Sequence, residues 1–268
     1  MTVGRLRIRV RVTGSGPPLL LVMGIGGQIE MWRPLEQALK RRQTIAFDAP
    51  GTGESSLPGH LLRMKGLARV TERLIDQLGY ERVDVLGVSF GGALAQQLAL
   101  QAPERVRRLI LAATSCGLGG VPSRPLAMLI LATPHRYYSR RYLRLVSPYL
   151  YGGAARRREL LEEQVQARLD RPPSLVGYLL QLAAITGWSS LPFLHRLGQP
   201  TLVMAGDDDP IIPLANGRIL ARRIRNAHLH VVEGGGHLFL LDRAAESAEV
   251  IEDFLSDKWR SHGSRGLL

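Results

Sequence analysis

A single cysteine, Cys116, occurs in 268 residues, so no disulfide can close within the chain and a cysteine-based metal cluster is excluded. No run of about eighteen apolar residues is present, which argues against a transmembrane helix. The first residues alternate Arg5, Arg7, Arg9 and Arg11 with Leu6, Ile8 and Val10; they read as a strand without a signal peptide's apolar stretch, so the expected compartment is the cytoplasm. Lysine is scarce as well: Lys40, Lys65 and Lys258 are the only lysines among 35 basic residues. The formal charge of +12 thus rests on arginines scattered along the chain, and no nucleic-acid partner is expected from them. The densest runs are Arg140-Arg141 with Arg144 and Arg156-Arg157-Arg158. Solvated helix faces account for such runs, and contact with an anionic surface is the sharper alternative.

What the chain does have is an ordinary apolar fraction of 45% and a rhythm of short apolar runs alternating with amphipathic helices. That rhythm specifies an α/β fold with a mainly parallel sheet flanked by helices. Strands are expected at Leu19 to Met23, Thr44 to Phe47, Val83 to Gly87, Val106 to Leu111, Thr201 to Ala205 and His228 to Val232. Helices are expected around Met31 to Lys40, at Gly66 to Leu78 with Gly79 as C-cap, and at Ala93 to Leu100, Leu214 to Ile224 and Arg243 to Leu255. From Cys116 to Leu197 the strand-like runs cease, prolines punctuate short helical pieces, and six of the seven tyrosines gather. Residues 116-197 therefore read as a helical cap, or lid, inserted into a core of residues 1-115 and 198-268.

The chemistry concentrates in Gly87-Val88-Ser89-Phe90-Gly91, between an apolar strand and a helix rich in alanine and glutamine. A GxSxG string recurs by chance, but strand, sharp turn and helix around it are what a nucleophile elbow requires. A serine hydroxyl needs a base to take its proton. Of seven histidines, His237 lies in a glycine-rich loop directly after the last strand; His228 and His230 sit on that strand, and His195 is a weaker competitor at the end of the insertion. The orienting acid belongs in Gly206-Asp207-Asp208-Asp209-Pro210, which follows the strand Thr201 to Ala205. Pro210 stiffens the chain beside Asp209, and Asp207 is the alternative. An oxyanion needs two donors, for which the amides of Phe90 and of Ile25 in Met23-Gly24-Ile25-Gly26-Gly27 are the candidates. The same glycines could begin a dinucleotide loop, but Ile29 stands where its last glycine belongs.

With these residues in hand, the chain resembles α/β-hydrolases of the abhydrolase family along nearly its whole length. Phe47-Asp48-Ala49-Pro50-Gly51-Thr52-Gly53-Glu54-Ser55-Ser56 is similar to the loop after that family's fourth strand. The segments Gly87 to Gln97, Leu109 to Thr114 with Val121-Pro122, Tyr151-Gly152-Gly153, Gly187-Trp188, Gln199 to Pro213 and Gly236 to Leu240 are similar to intracellular medium-chain-length poly(3-hydroxyalkanoate) depolymerases. Two positions depart: Met23 stands where many hydrolases of the fold have histidine, and Phe90 where the depolymerases have tryptophan. The resemblance implies Ser89, Asp209 and His237 as a catalytic triad, a polyester or oligoester of hydroxy acids as substrate, a granule surface as partner, and neither cofactor nor metal. A small-molecule esterase or lipase, a carbon–carbon bond hydrolase, and a slow-turnover binding protein that keeps the triad are the competing readings.

Overall fold

Seven strands pair into one sheet in the computed structural model, which describes residues 1–156, 169 and 171–256. In chain order the strands are β1 (Thr2–Val3), β2 (Leu6–Arg7), β3 (Val10–Thr13), β4 (Pro18–Val22), β5 (Gln43–Phe47), β6 (Val83–Val88), β7 (Val106–Ala112), β8 (Thr201–Gly206) and β9 (Ala227–Val232). The sheet runs β3-β5-β4-β6-β7-β8-β9, with β3 antiparallel to β5 and every other pair parallel. Among the described residues the α-helices are α1 (Arg33–Ala38), α2 (Met64–Gln77), α3 (Phe90–Gln101), α4 (Pro125–Leu131), α5 (Arg140–Tyr151), α6 (Leu175–Ile185), α7 (Leu214–Arg223), α8 (Phe239–Asp242) and α9 (Ala244–Leu255).

The continuous apolar strands follow from burial on both faces, because neighbouring side chains point to opposite sides of a pleated sheet. Leu20, Val85, Leu111 and Val203 pack against α2, α3 and α7 through Leu67, Leu74, Leu94, Leu98 and Leu220. Leu19, Leu21, Leu86, Ile110 and Leu202 turn the other way, onto Leu35 of α1 and Ile251 and Phe254 of α9. A third cluster joins α4 and α5 to the loops after β8 and β9, through Ile130, Leu143, Val146, Leu150, Ile211 and Leu238.

Two expectations are corrected. The N-terminal strand is divided: Gly4, at φ +62, turns β1 back onto β2 before β3 joins the sheet. Its arginines serve ion pairs, Arg9 with Glu30 at 2.5 Å and Arg11 with Glu36. The helix read at Met31 to Lys40 is a 3-10 turn, Ile29–Trp32, followed by the short α1, which has a proline in its first turn and ends at an extended Leu39. The last helix stands where it was expected, as α9, and the short α8 precedes it across Arg243 at φ -128, ψ 49. Arg157 and Arg158 of the second basic run lie outside the described residues. No helix among the described residues is long and apolar enough to cross a membrane.

Candidate active site

β6 delivers Ser89 at the carboxyl end of the sheet, and α3 begins with the next residue. The turn is too sharp for ordinary backbone: Ser89 takes φ 55, ψ -120, a region that costs a non-glycine residue about 1–3 kcal/mol. The surroundings hold it there. Its amide donates to the Ala112 carbonyl at 3.0 Å, and its carbonyl accepts from the Thr114 hydroxyl at 2.7 Å and the Gly92 amide at 2.9 Å. The helix start also lies against the neighbouring chain so closely that a Cβ on Gly91 would sit 2.0 Å from the Val22 carbonyl oxygen, and one on Gly87 would sit 2.3 Å from that of Gly91. As the first residue of α3, Phe90 has an amide with no partner inside the helix.

The loop after β4 crosses next to this turn; a Cβ on Gly24 would lie 3.9 Å from Ser89 Oγ. It is fixed from three sides. The Tyr137 hydroxyl donates to the Ile25 carbonyl at 2.7 Å, the Gly26 amide donates to Gln181 Oε1 at 2.8 Å, and the Ile29 amide donates to Asp48 Oδ1 at 2.9 Å. The Ile25 amide is left without a partner among the described residues. Asp48 is fully buried, and burial pushes its carboxyl up to about 6, against the pull of the Ile29 amide and of Arg9.

His237 follows β9, and its own amide donates to the Tyr151 carbonyl at 2.7 Å. Its Nδ1 lies 2.8 Å from Asp209 Oδ2, both side chains being buried. The other oxygen of Asp209 accepts the amides of Ile211 and Ile212 at 2.8 and 2.9 Å, which sets the carboxylate's orientation. The structure thus separates the three aspartates: Asp209 meets the histidine, Asp208 accepts from the Gly153 amide at 2.8 Å, and Asp207 is exposed. His60, His135 and His195 are exposed as well.

Ser89 and His237 line one cavity of about 80 Å³, together with Ile25, Arg136, Tyr137 and Tyr151. A second groove of about 330 Å³ also borders Ser89 and Ile25 and is lined by Phe90, Ala93, Met128, Leu182, Ile185 and Ile212. Leu131 and Ile211 border both. Of the apolar side chains on α4, Met128 and Leu131 reach the groove, whereas Leu126 and Leu129 are exposed and Ile130 is buried. Sequence reading missed Thr114, Gln181 and Arg136. Thr114 could have been noticed as a polar residue just past a central strand; nothing in the spacing of the insertion singles out the other two.

The alpha/beta hydrolase fold family matches the chain over residues 17–244. A poly(3-hydroxyalkanoate) depolymerase of Ectopseudomonas oleovorans is 47% identical over 94% of this chain and 89% of its own length. A 2-hydroxy-6-oxo-6-phenylhexa-2,4-dienoate hydrolase of Comamonas testosteroni is 32% identical over 93% of this chain and 87% of its own length. Among solved structures, a thermophilic esterase from Thermogutta terrifontis superposes with a TM-score of 0.78 at 26% identity, covering 93% of each chain. Sheet order, elbow and relatives agree, and the chain belongs to the alpha/beta hydrolase fold family and is a hydrolytic enzyme.

Proposed function

We propose that this enzyme is a serine carboxylic-ester hydrolase acting on polyesters or oligoesters of 3-hydroxy acids with medium-length side chains. The observation that carries the reading is a strained Ser89 facing the same cavity as a buried, hydrogen-bonded His237–Asp209 pair. Ser89 Oγ attacks the ester carbonyl carbon as its proton passes to His237, and the amides of Ile25 and Phe90 hold the resulting oxyanion. The tetrahedral intermediate then expels the alkoxide, which takes the proton from the imidazolium and leaves as an alcohol. Water, deprotonated by the same histidine, attacks the acyl-serine, and the acid is released with Ser89 restored. Asp209 orients the ring and stabilises its positive form without taking the proton.

The groove beyond Phe90 is apolar and suits the acyl chain. Residues 116-197 act as the lid over a core of residues 1-115 and 198-268. Leu126, Met128 and Leu129 of α4, Leu145 and Tyr149 of α5, and Leu175, Val176 and Leu179 of α6 are exposed on this segment, an unusual density of large apolar side chains. They and the exposed Arg140, Arg141 and Arg144 supply an apolar and cationic contact for a polyester granule in the cytoplasm.

Each buried methylene contributes about 0.8 kcal/mol, so four more acyl carbons are worth about 3 kcal/mol where the groove accepts them. A panel of soluble esters with acyl chains of about two to about twelve carbons, run beside a polyester emulsion, tests this. Medium chains should outperform acetyl, and added salt should weaken emulsion hydrolysis but not soluble-ester hydrolysis. A maximum at acetyl with an untouched emulsion would leave only a small-molecule esterase.

A further inference from the structure

Arg136 occupies a short 3-10 turn between α4 and α5, is 2% exposed, and lines the cavity that holds Ser89 and His237. A guanidinium so deeply buried normally meets a carboxylate, because an isolated charge loses far more hydration than packing returns. Here no carboxylate among the described residues lies within ion-pair distance of it. Its Nη1 donates to the Tyr178 hydroxyl at 2.8 Å and to the Thr133 carbonyl at 3.1 Å, and its Nε, buried, has no partner. The guanidinium carbon lies 4.7 Å from the Tyr137 ring centre and 5.2 Å from that of Tyr178, so two aromatic faces brace the charge without neutralising it. Tyr178 in turn donates to the Leu131 carbonyl at 2.7 Å, and Tyr137 to that of Ile25 at 2.7 Å. Their hydroxyl protons are thereby committed, and the arginine is held in place as a donor with nothing anionic to serve.

Which part of a substrate would reach it follows from the two openings at Ser89. His237 lines only the Arg136 cavity, not the apolar groove. The imidazolium must protonate the departing oxygen, so the leaving alcohol lies on the histidine's side and the acyl chain in the groove. We propose that Arg136 binds a free carboxylate on the leaving group, so that the preferred substrate is the carboxyl end of an oligoester, whose last unit departs as a free hydroxy acid. This inference rests on the ester-hydrolase reading and deepens it, since an enzyme built this way trims chains from one end. A hydrogen-bonded arginine–carboxylate contact away from bulk water supports a preference of about tenfold to a hundredfold in kcat/KM.

The test compares the dimer of 3-hydroxyoctanoate with its methyl ester, the two differing only in the terminal charge, and follows cleavage of the ester between the two units. In the wild-type enzyme the free acid should be preferred by at least about tenfold. Arg136→Met should bring the ratio of the two kcat/KM values towards one, and Arg136→Lys should keep part of it. A ratio is read because a general loss of activity from a disturbed turn lowers both substrates together and leaves it unchanged. Equal rates in the wild type, or a preference that survives in Arg136→Met, would overturn the inference while leaving the ester hydrolase intact. Hydrolysis of neither dimer would instead remove the underlying reading and this inference with it. If Arg136→Met does not fold, competitive inhibition of the wild type decides: 3-hydroxyoctanoate should bind at least about tenfold tighter than its methyl ester, and equal inhibition refutes the contact.

Discussion

Replacing Asp209 with asparagine separates geometry from electrostatics with almost no change of shape. The asparagine carbonyl can still accept the amides of Ile211 and Ile212, now at 2.8 and 2.9 Å from Oδ1, so the loop keeps its anchor. What changes is the atom facing His237 Nδ1, 2.8 Å away, from an acceptor to an NH₂ donor. That contact is satisfied only if Nδ1 becomes the acceptor and the ring carries its proton on Nε2, the nitrogen that must receive the proton of Ser89. Turnover should therefore fall by roughly a thousandfold to ten-thousandfold, about 4–5.5 kcal/mol of activation free energy. Unfolding free energy should shift by no more than about 1 kcal/mol, because the hydrogen bonds are exchanged rather than lost. Asp207→Asn, at an exposed site, should stay within about twofold of the parent. Steady-state turnover of a medium-chain chromogenic ester and a urea unfolding curve on each variant measure both quantities. A larger loss in Asp207→Asn than in Asp209→Asn, or a loss in Asp209→Asn that merely tracks its unfolded fraction, would refute the assignment of the acid.

Ser89→Ala should lower turnover by at least roughly a thousandfold and abolish the burst of chromogenic product, since no acyl-enzyme can form; a retained burst would name another nucleophile. Gly91→Ala should destabilise the fold by about 1–3 kcal/mol and displace the elbow, because its methyl would lie 2.0 Å from the Val22 carbonyl oxygen; unchanged unfolding and activity would contradict that packing. Asp48 gives a pH test with a definite sign: its carboxyl keeps a proton up to about pH 6 in the fold, while the unfolded chain loses it near 3.8. Below 3.8 both states are protonated, and between there and 6 only the unfolded state ionises, so this group lowers stability as pH rises, by about 3 kcal/mol in all. The unfolding free energy of Asp48→Asn minus that of the wild type should thus grow over this window and then level off, and a flat difference would remove the burial argument.

The sheet was legible because its strands are buried on both faces, so runs such as Leu19 to Val22 stay apolar without interruption. The elbow was legible because its backbone requires glycine at fixed offsets from Ser89, and such steric needs leave a trace in sequence. The N-terminal arginines misled for the opposite reason. Their alternation imitates one half-exposed strand, whereas Arg9 and Arg11 face acids more than twenty residues away, Glu30 and Glu36, and no local pattern reports a partner that distant. The three successive aspartates differ only in which of them turns towards the β9 loop, a fact of tertiary structure. Arg136 is the extreme case, one arginine among many, distinguished solely by what surrounds it.

The segment between β7 and β8 does more than overhang the cavity, because it bonds to each loop that carries a proposed catalytic group. Tyr137 and Gln181 fasten the loop of Ile25, the Tyr151 carbonyl accepts the amide of His237, and the Gly153 amide binds the aspartate beside Asp209. A lid that merely shields substrate could move as a body without disturbing the chemistry beneath it. The segment shares at least six hydrogen bonds with these three loops, counting those from the Arg124 amide to the Pro210 carbonyl and from the Ser123 hydroxyl to the Ile211 carbonyl, so displacing it widely would release the Ile25 loop and His237 together. For the proposed polyester substrate, threading a chain end past the exposed α4 and α6 then costs fewer of these bonds than lifting the segment away. That constraint and the unpaired charge of Arg136 both favour the proposed attack at the end of the substrate.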